Sequence, residues 1–205
     1  MVSLTAVIVE TRQVKNLEEI IQGHMNYLPS DTQLVIYYGN ENSYLKTKFP
    51  NAIFVESRVN TENDYNDLLT TTVFWEGLKA NNRVLIFQHD SMLLREGIEE
   101  FYEWDYVGAR WSFPPYRGNG GLSLRNPNVM LDICRNNKYN LSQHGNEDVF
   151  FCNIMNNGNQ YKLAPVEVCD KFAVESIFSL GSMGVHAIDK YLSESEYNQI
   201  KNQYK

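Results

Sequence analysis

Val84–Met92 reads VLIFQHDSM, an apolar run that stops abruptly at Gln88, His89 and Asp90. Such a run predicts a buried strand over residues 83–87 whose tip is polar. In open α/β sheets, ligands bind at the carboxyl ends of the strands, beside the reversal in strand order. A carboxylate at that place can hold Mg²⁺ or Mn²⁺, which bridges two phosphates of a nucleotide. Asp90 serves equally well as a plain cap for a helix that follows.

Working outward, the first half alternates short apolar runs with longer stretches of helical period, the pattern of parallel strands joined by crossover helices. Strands are expected at residues 4–9, 33–38, 52–55 and 83–87, and helices at 15–27 and 62–80, the second opening on Thr61 as its N-cap. Tyr65, Leu68, Leu69, Val73, Trp75 and Leu78 give that second helix a wide apolar face, as for a helix lying on a sheet. After Asp90 the elements shorten: a helix near 96–102, a strand at 106–109, a loop through Trp111, Pro114 and Pro115, helices at about 127–136 and 147–157, and a last helix from about Ser193. VEVCDKFAVES, residues 166–176, reads as a packed helix and turn in which Glu175 is a hydrogen-bonding acid without chemistry. No repeat or flexible linker separates the halves, so residues 1–205 are expected to form one α/β domain with a mixed, mostly parallel central sheet flanked by helices.

A chain of 205 residues can bury roughly 70% of the surface exposed when unfolded. Its formal charge of -7, with no basic stripe, argues against nucleic-acid binding, which rests on Lys and Arg neutralising phosphates. The charge of a bound diphosphate would need a local offset from a metal ion, a few Arg or His, or a helix N-terminus. Cys134, Cys152 and Cys169 form no C-x-x-C pair and read as reduced thiols of a cytosolic-type compartment. The opening MVSLTAVIVETRQ is too short for a membrane span and lacks the basic start of a signal peptide, so it reads as the first strand, and the sequon at Asn140 as coincidental. No G-x-x-x-x-G-K-[ST] loop occurs, which disfavours a phosphoryl-transfer enzyme.

Two further motifs stand out. GNGGLSLR, Gly118–Arg125, puts three glycines around Asn119, permitting positive φ and close approach of a ligand to the backbone; an ordinary tight turn needs the same residues. HGNEDVFFCNIM, His144–Met155, opens a helix on Glu147 and Asp148, acids that the helix dipole favours without any chemical role. Trp111, Phe113 and Tyr116 offer rings to a sugar face or anchor their own loop. Arg110 and Arg125 could neutralise phosphate, with surface pairing the simpler role.

These stretches together resemble the GT-A glycosyltransferases, which carry a D-x-D motif at such a strand end. The chain is similar, from its first strand to about His186, to a compact group reading Q-x-D, GNGGLSLR and NED. That group occurs in bacteria and in large DNA viruses of the chlorovirus kind that glycosylate their own capsid proteins. The resemblance implies a GT-A-like domain with a nucleotide-binding half to about residue 90 and a sugar and acceptor half beyond it. It implies transfer from a nucleoside diphosphate sugar, with uridine the commonest base, to a glycan or glycoprotein hydroxyl, without a membrane span, in the cytoplasm (the host's, for a viral protein).

Carried over residue by residue, Asp90 is a ligand for Mn²⁺ or Mg²⁺, while Gln88 replaces the first acid. His186, after Gly181 and Gly184 in GSMGVHAID, is the second ligand, on a loop folding back over the site. Thr11 and Arg12, with Tyr38 and Tyr65 as walls and Gln88 and His89 beside them, are assigned to the nucleotide. Asn119, Gly120 and Gly121 are assigned to the donor sugar. The E-D pair is similar to that of inverting galactosyltransferases, which makes Asp148 the base and Glu147 a sugar or acceptor ligand. A binding module without activity is the competing reading, since one acid of D-x-D is missing.

Overall fold

A computed structural model describes residues 4–158 and 160–203. In it β1 (Leu4–Glu10) is buried along its whole length and pairs in parallel with β2 (Gln33–Tyr38) on one side and β4 (Arg83–Phe87) on the other. Parallel strands covered on both faces read as continuous apolar runs, which is why these three were visible in the sequence. The outer strand β3 (Ile53–Glu56) runs parallel to β2. Past β4 the direction reverses: β7 (Leu122–Arg125) is antiparallel to it, and β6 (Tyr106–Gly108) antiparallel to β7. The order β3-β2-β1-β4-β7-β6 is thus a mixed, mostly parallel sheet, as expected. A small second sheet joins β5 (Ser91–Leu93), β9 (Gly184–His186) and β8 (Ala173–Val174).

Alternate side chains of β1 feed two apolar layers. Leu4, Ala6 and Ile8 pack with Leu17 and Ile21 of α1 (Leu17–Met25), the layer that also contains Leu45 of the one-turn α2 (Leu45–Lys48). Val7 and Val9 face Leu69 of α3 (Glu62–Leu69), Phe74 and Trp75 of α4 (Thr72–Glu76), Met130 of α5 (Pro127–Asn136) and, beyond the short α6 (Leu141–His144), Phe150 of α7 (Glu147–Asn157). The chain closes with α8 (Val166–Phe172), the one-turn α9 (Ile188–Tyr191) and α10 (Glu194–Gln203). Among the described residues no helix is long and apolar enough to cross a membrane.

The expected helix over 62–80 is two helices. Thr71 turns extended and its hydroxyl accepts the Phe74 N–H, capping a new helix, while the Trp75 indole N–H donates to the Leu69 carbonyl at 2.7 Å. In a run of three threonines, the hydroxyls of Thr70 and Thr71 bond to the Asn66 and Leu68 carbonyls, an alternative to helical bonds that wins here. The helix expected at 96–102 is a 3₁₀ turn, Ile98–Phe101. His186, expected on a loop, lies on β9, where its Cα is paired with Ser91.

Candidate active site

The crevice at the carboxyl ends of β1 and β4, where strand order reverses around β1, opens into a cleft of about 380 Å³. Thr11, Arg12, Tyr65, Gln88, His89 and Asp90 line one side, and Asn119, Gly120, Gly121, Glu147, Asp148 and His186 the other. Tyr38 does not belong to it. Being on the opposite pleat of β2 from Tyr37, its ring joins the α1 layer, edge-on to Phe54, and its hydroxyl accepts from Lys46 at 2.5 Å.

The first end is organised by Glu10, which sequence reasoning passed over although it too is an acid closing an apolar strand. Its buried carboxylate accepts from the Arg12 amide at 3.0 Å and from Arg12 Nε and Nη2 at 2.9 and 2.8 Å, and lies 3.2 Å from His89 Nδ1. Burial opposes its ionisation, but the bonds from His89 and Arg12 outweigh it and hold the carboxyl below its ordinary range. Asn42 donates to the carbonyls of both Glu10 and Arg12, and the Thr11 hydroxyl bonds to the Val59 carbonyl, so the turn after β1 is braced on three sides.

The tip of β4 is fixed from behind by His24, which stacks on Phe87 and contacts the Ser91 hydroxyl at 3.1 Å; that hydroxyl in turn donates to the Gln88 carbonyl at 2.6 Å. In front, Asp90 Oδ1 lies 3.3 Å from His186 Nε2, and the same nitrogen lies 3.1 Å from Gln88 Oε1. Lys190, invisible as a site residue in the sequence, donates to Asp90 Oδ2 at 2.6 Å. His186 and Lys190 overcome the cost of burial and hold Asp90 far below the usual carboxylate range. Burial pulls His186 down, yet Asp90 and Glu175 raise it to about 9.

Neighbouring donors of an octahedral ion bound at about 2.1 Å stand about 3 Å apart. Asp90 Oδ1, His186 Nε2 and Gln88 Oε1 approach that spacing, and Oδ1 is buried without a hydrogen-bond partner. Among the described residues no group of three or more His, Cys, Asp or Glu gathers as a metal site. A cation here would take one carboxylate, one imidazole and one amide, and complete its shell from ligand oxygens and water.

At the far end the glycines provide room. Of Gly118, Gly120 and Gly121, only Gly118 has positive φ (107°). At Gly120 a Cβ would come 2.6 Å from Glu147 Oε1 and 2.9 Å from Arg125 Nη2, and at Gly121 it would come 2.1 Å from His186 Nε2. Asn119 is buried with its amide engaged twice, donating to Glu175 at 2.7 Å and accepting the Gly121 N–H at 3.0 Å, which fixes its place in the loop.

Asp148 Oδ2 accepts the Gly120 N–H at 2.9 Å. Burial, then the charge of Glu147, push its carboxyl up to about 7 against the opposing pull of the Gly120 bond and Arg125. Glu147 lines the cleft but spends both oxygens on Arg125 Nη1 and Nη2, at 2.6 and 2.8 Å. Arg125, read as a surface residue, is instead fully buried under the rings of Tyr106, Trp75 and Phe151, where Glu147 holds it. The Asn66 side chain accepts the Glu147 N–H at 2.9 Å, capping α7 from α3.

Two sequence candidates lie elsewhere. Arg110 pairs with Asp170 at 2.7 Å. Trp111 is buried and stacked on the exposed Phe113, so the loop is anchored by its own aromatics, away from the residues lining the cleft.

A family model described as "Protein of unknown function (DUF5672)" matches residues 48–186, a span that includes every cleft residue named above except Glu10, Thr11, Arg12 and Lys190. No curated protein is similar in sequence. The fold is similar to the apo form of the glycosyltransferase GlyE of Streptococcus pneumoniae TIGR4, with a TM-score of 0.57 and 10% identity over 94% of this chain and 55% of that one. It is also similar to a glycosyltransferase involved in the glycosylation of the major capsid of PBCV-1, with a TM-score of 0.56, 8% identity and 98% of each chain covered. The chain thus spans about half the length of the first and nearly all of the second. At such identities the likeness is one of fold.

Proposed function

The chain belongs to the family of that model, and from this membership, the fold and the cleft we propose that it is a glycosyltransferase moving a sugar from a nucleoside diphosphate sugar, with UDP as the nucleotide, to a hydroxyl of a glycan or glycoprotein. The observation that carries the reading is one cleft with two opposed chemistries: Asp90, Gln88 and His186 at the tip of β4, and the Asp148 carboxylate on the Gly120 backbone across from them.

Thr11, Arg12 and Tyr65 hold the nucleoside, and the Gly120–Gly121 backbone lies under the donor sugar. Asp90, His186 and Gln88 hold Mn²⁺ or Mg²⁺. That ion, when bound, offsets the charge of the departing diphosphate. Asp148 takes the proton from the acceptor hydroxyl as its oxygen attacks the anomeric carbon from the face opposite the diphosphate, which inverts configuration. A carboxyl near 7 is matched to that task at neutral pH.

A second reading, binding without transfer, is favoured by Gln88 in place of an acid and by Lys190 already on Asp90. A thermal-shift panel of UDP, GDP and CMP, each with and without Mn²⁺, tests the donor side. A ligand at 100 times its Kd adds about 2.7 kcal/mol, roughly 5–10 °C for a chain of this size. UDP with Mn²⁺ is expected to give the largest shift, and Asp90→Ala to lose its Mn²⁺-dependent part. No response to UDP, or an unchanged response in Asp90→Ala, overturns the assignment. Metal-dependent release of UDP from a UDP-sugar separates transferase from binding module.

A further inference from the structure

Glu175 follows β8 directly. The parallel ladder Ala173↔Gly184 and Val174↔Val185 carries it, in register, to the side of His186. It is 7% exposed, and its Oε1 is the meeting point of two contacts: 2.7 Å from Asn119 Nδ2, which donates to it, and 3.2 Å from His186 Nδ1. The other ring nitrogen, Nε2, faces Gln88 Oε1 and Asp90 Oδ1. The imidazole edge lies so close to Gly121 that a Cβ there would overlap it. The ring is therefore oriented from three directions, with Nδ1 toward a buried anion and Nε2 toward the oxygens at the tip of β4.

An imidazole binds a cation through a bare nitrogen, and the group bonded to its other nitrogen decides which one is bare. We propose that Glu175 is a positioning residue for the cation: it draws the Nδ1 edge of His186 toward itself, so that Nε2 is the nitrogen presented to the ion. Through Asn119, whose Oδ1 holds the Gly121 amide, the same carboxylate ties the orientation of His186 to the backbone under the donor sugar. This inference rests on the reading of Asp90, Gln88 and His186 as ligands.

The experiment is a titration of the whole protein with Mn²⁺ in the presence of UDP, following free Mn²⁺ by electron paramagnetic resonance, with no turnover involved. Glu175→Gln leaves an oxygen of the same reach for Asn119 and His186 but removes the charge that makes the imidazole a stronger donor. Glu175→Ala removes both. Loss of such an outer partner typically weakens binding 10- to 100-fold. The Mn²⁺ dissociation constant is expected to rise about 10-fold in Glu175→Gln, at an unchanged melting temperature, and toward 100-fold in Glu175→Ala. If His186→Ala weakens Mn²⁺ binding while Glu175→Gln matches the wild type, the role given to Glu175 is wrong and the cation site stands. If the wild type binds no Mn²⁺, or His186→Ala binds as the wild type does, the cation site itself is wrong and this role goes with it.

Discussion

Asp148→Asn is expected to lower turnover by about 10²-fold or more while leaving UDP affinity close to that of the wild type. Asparagine preserves the size of the side chain and keeps an oxygen for one of the two amides, Gly120 and Val149, that donate to Oδ2 and Oδ1 of Asp148 in the wild type. It removes the capacity to accept a proton, together with one of these two backbone bonds. Because a base must be ionised to work, and this carboxyl is pushed up to about 7, wild-type kcat/KM is expected to rise with pH through that value and level off above it. The sign follows from the cause: burial and the charge of Glu147 favour the protonated form, so the active form fills only as pH climbs. Steady-state kinetics across pH 5–9 check both points. Undiminished turnover in Asp148→Asn would place the base elsewhere.

Arg125→Ala is expected to destabilise the fold by about 3–5 kcal/mol, because it leaves a carboxylate buried without its partner. Glu147 is 2% exposed and both of its oxygens bond to Arg125. The guanidinium also donates to Ser123 at 2.9 Å and lies 4.6 Å from the Tyr106 ring centroid, so aromatic packing is lost with the charge. Urea denaturation measures the loss as a lower midpoint. Replacing both partners with apolar residues, Arg125→Met with Glu147→Leu, is expected to recover most of it, since the cost lies in the orphaned charge. A double variant as unstable as the single one would show that packing around Arg125 dominates instead.

The contrast between these two acids explains how far the sequence could be read. Adjacent in the chain and both in the first turn of α7, Glu147 and Asp148 differ only in what the fold brings to each: Arg125 from β7 to one, the Gly120 amide to the other. Strands β2 and β4 and helices α5 and α7 were legible to the residue because runs and periods of apolar side chains encode burial directly. The motifs at Asp90, Gly118–Arg125, Glu147–Asp148 and His186 were visible as unusual local chemistry, and the fold gathers them in one cleft.

What stayed hidden depends on pairs far apart in the chain. Lys190 meets Asp90 across 100 residues, and Glu175 meets Asn119 across 56. Arg125 was read as exposed because an arginine is almost never fully buried unless paired, and its partner and its cage of rings come from other elements. Tyr38 was misplaced because a strand's last residue can project to either side of the sheet, and only the packing of α1 and α2 shows which.

The contact between Gly121 and the His186 ring also bears on how this protein can change over generations. With a hydrogen as its whole side chain, residue 121 leaves no slack beneath the imidazole. Even alanine would have to displace the ring, so a side chain at 121 and the imidazole in its present place exclude each other. A larger residue at 121 would require His186 to move or to be replaced as well.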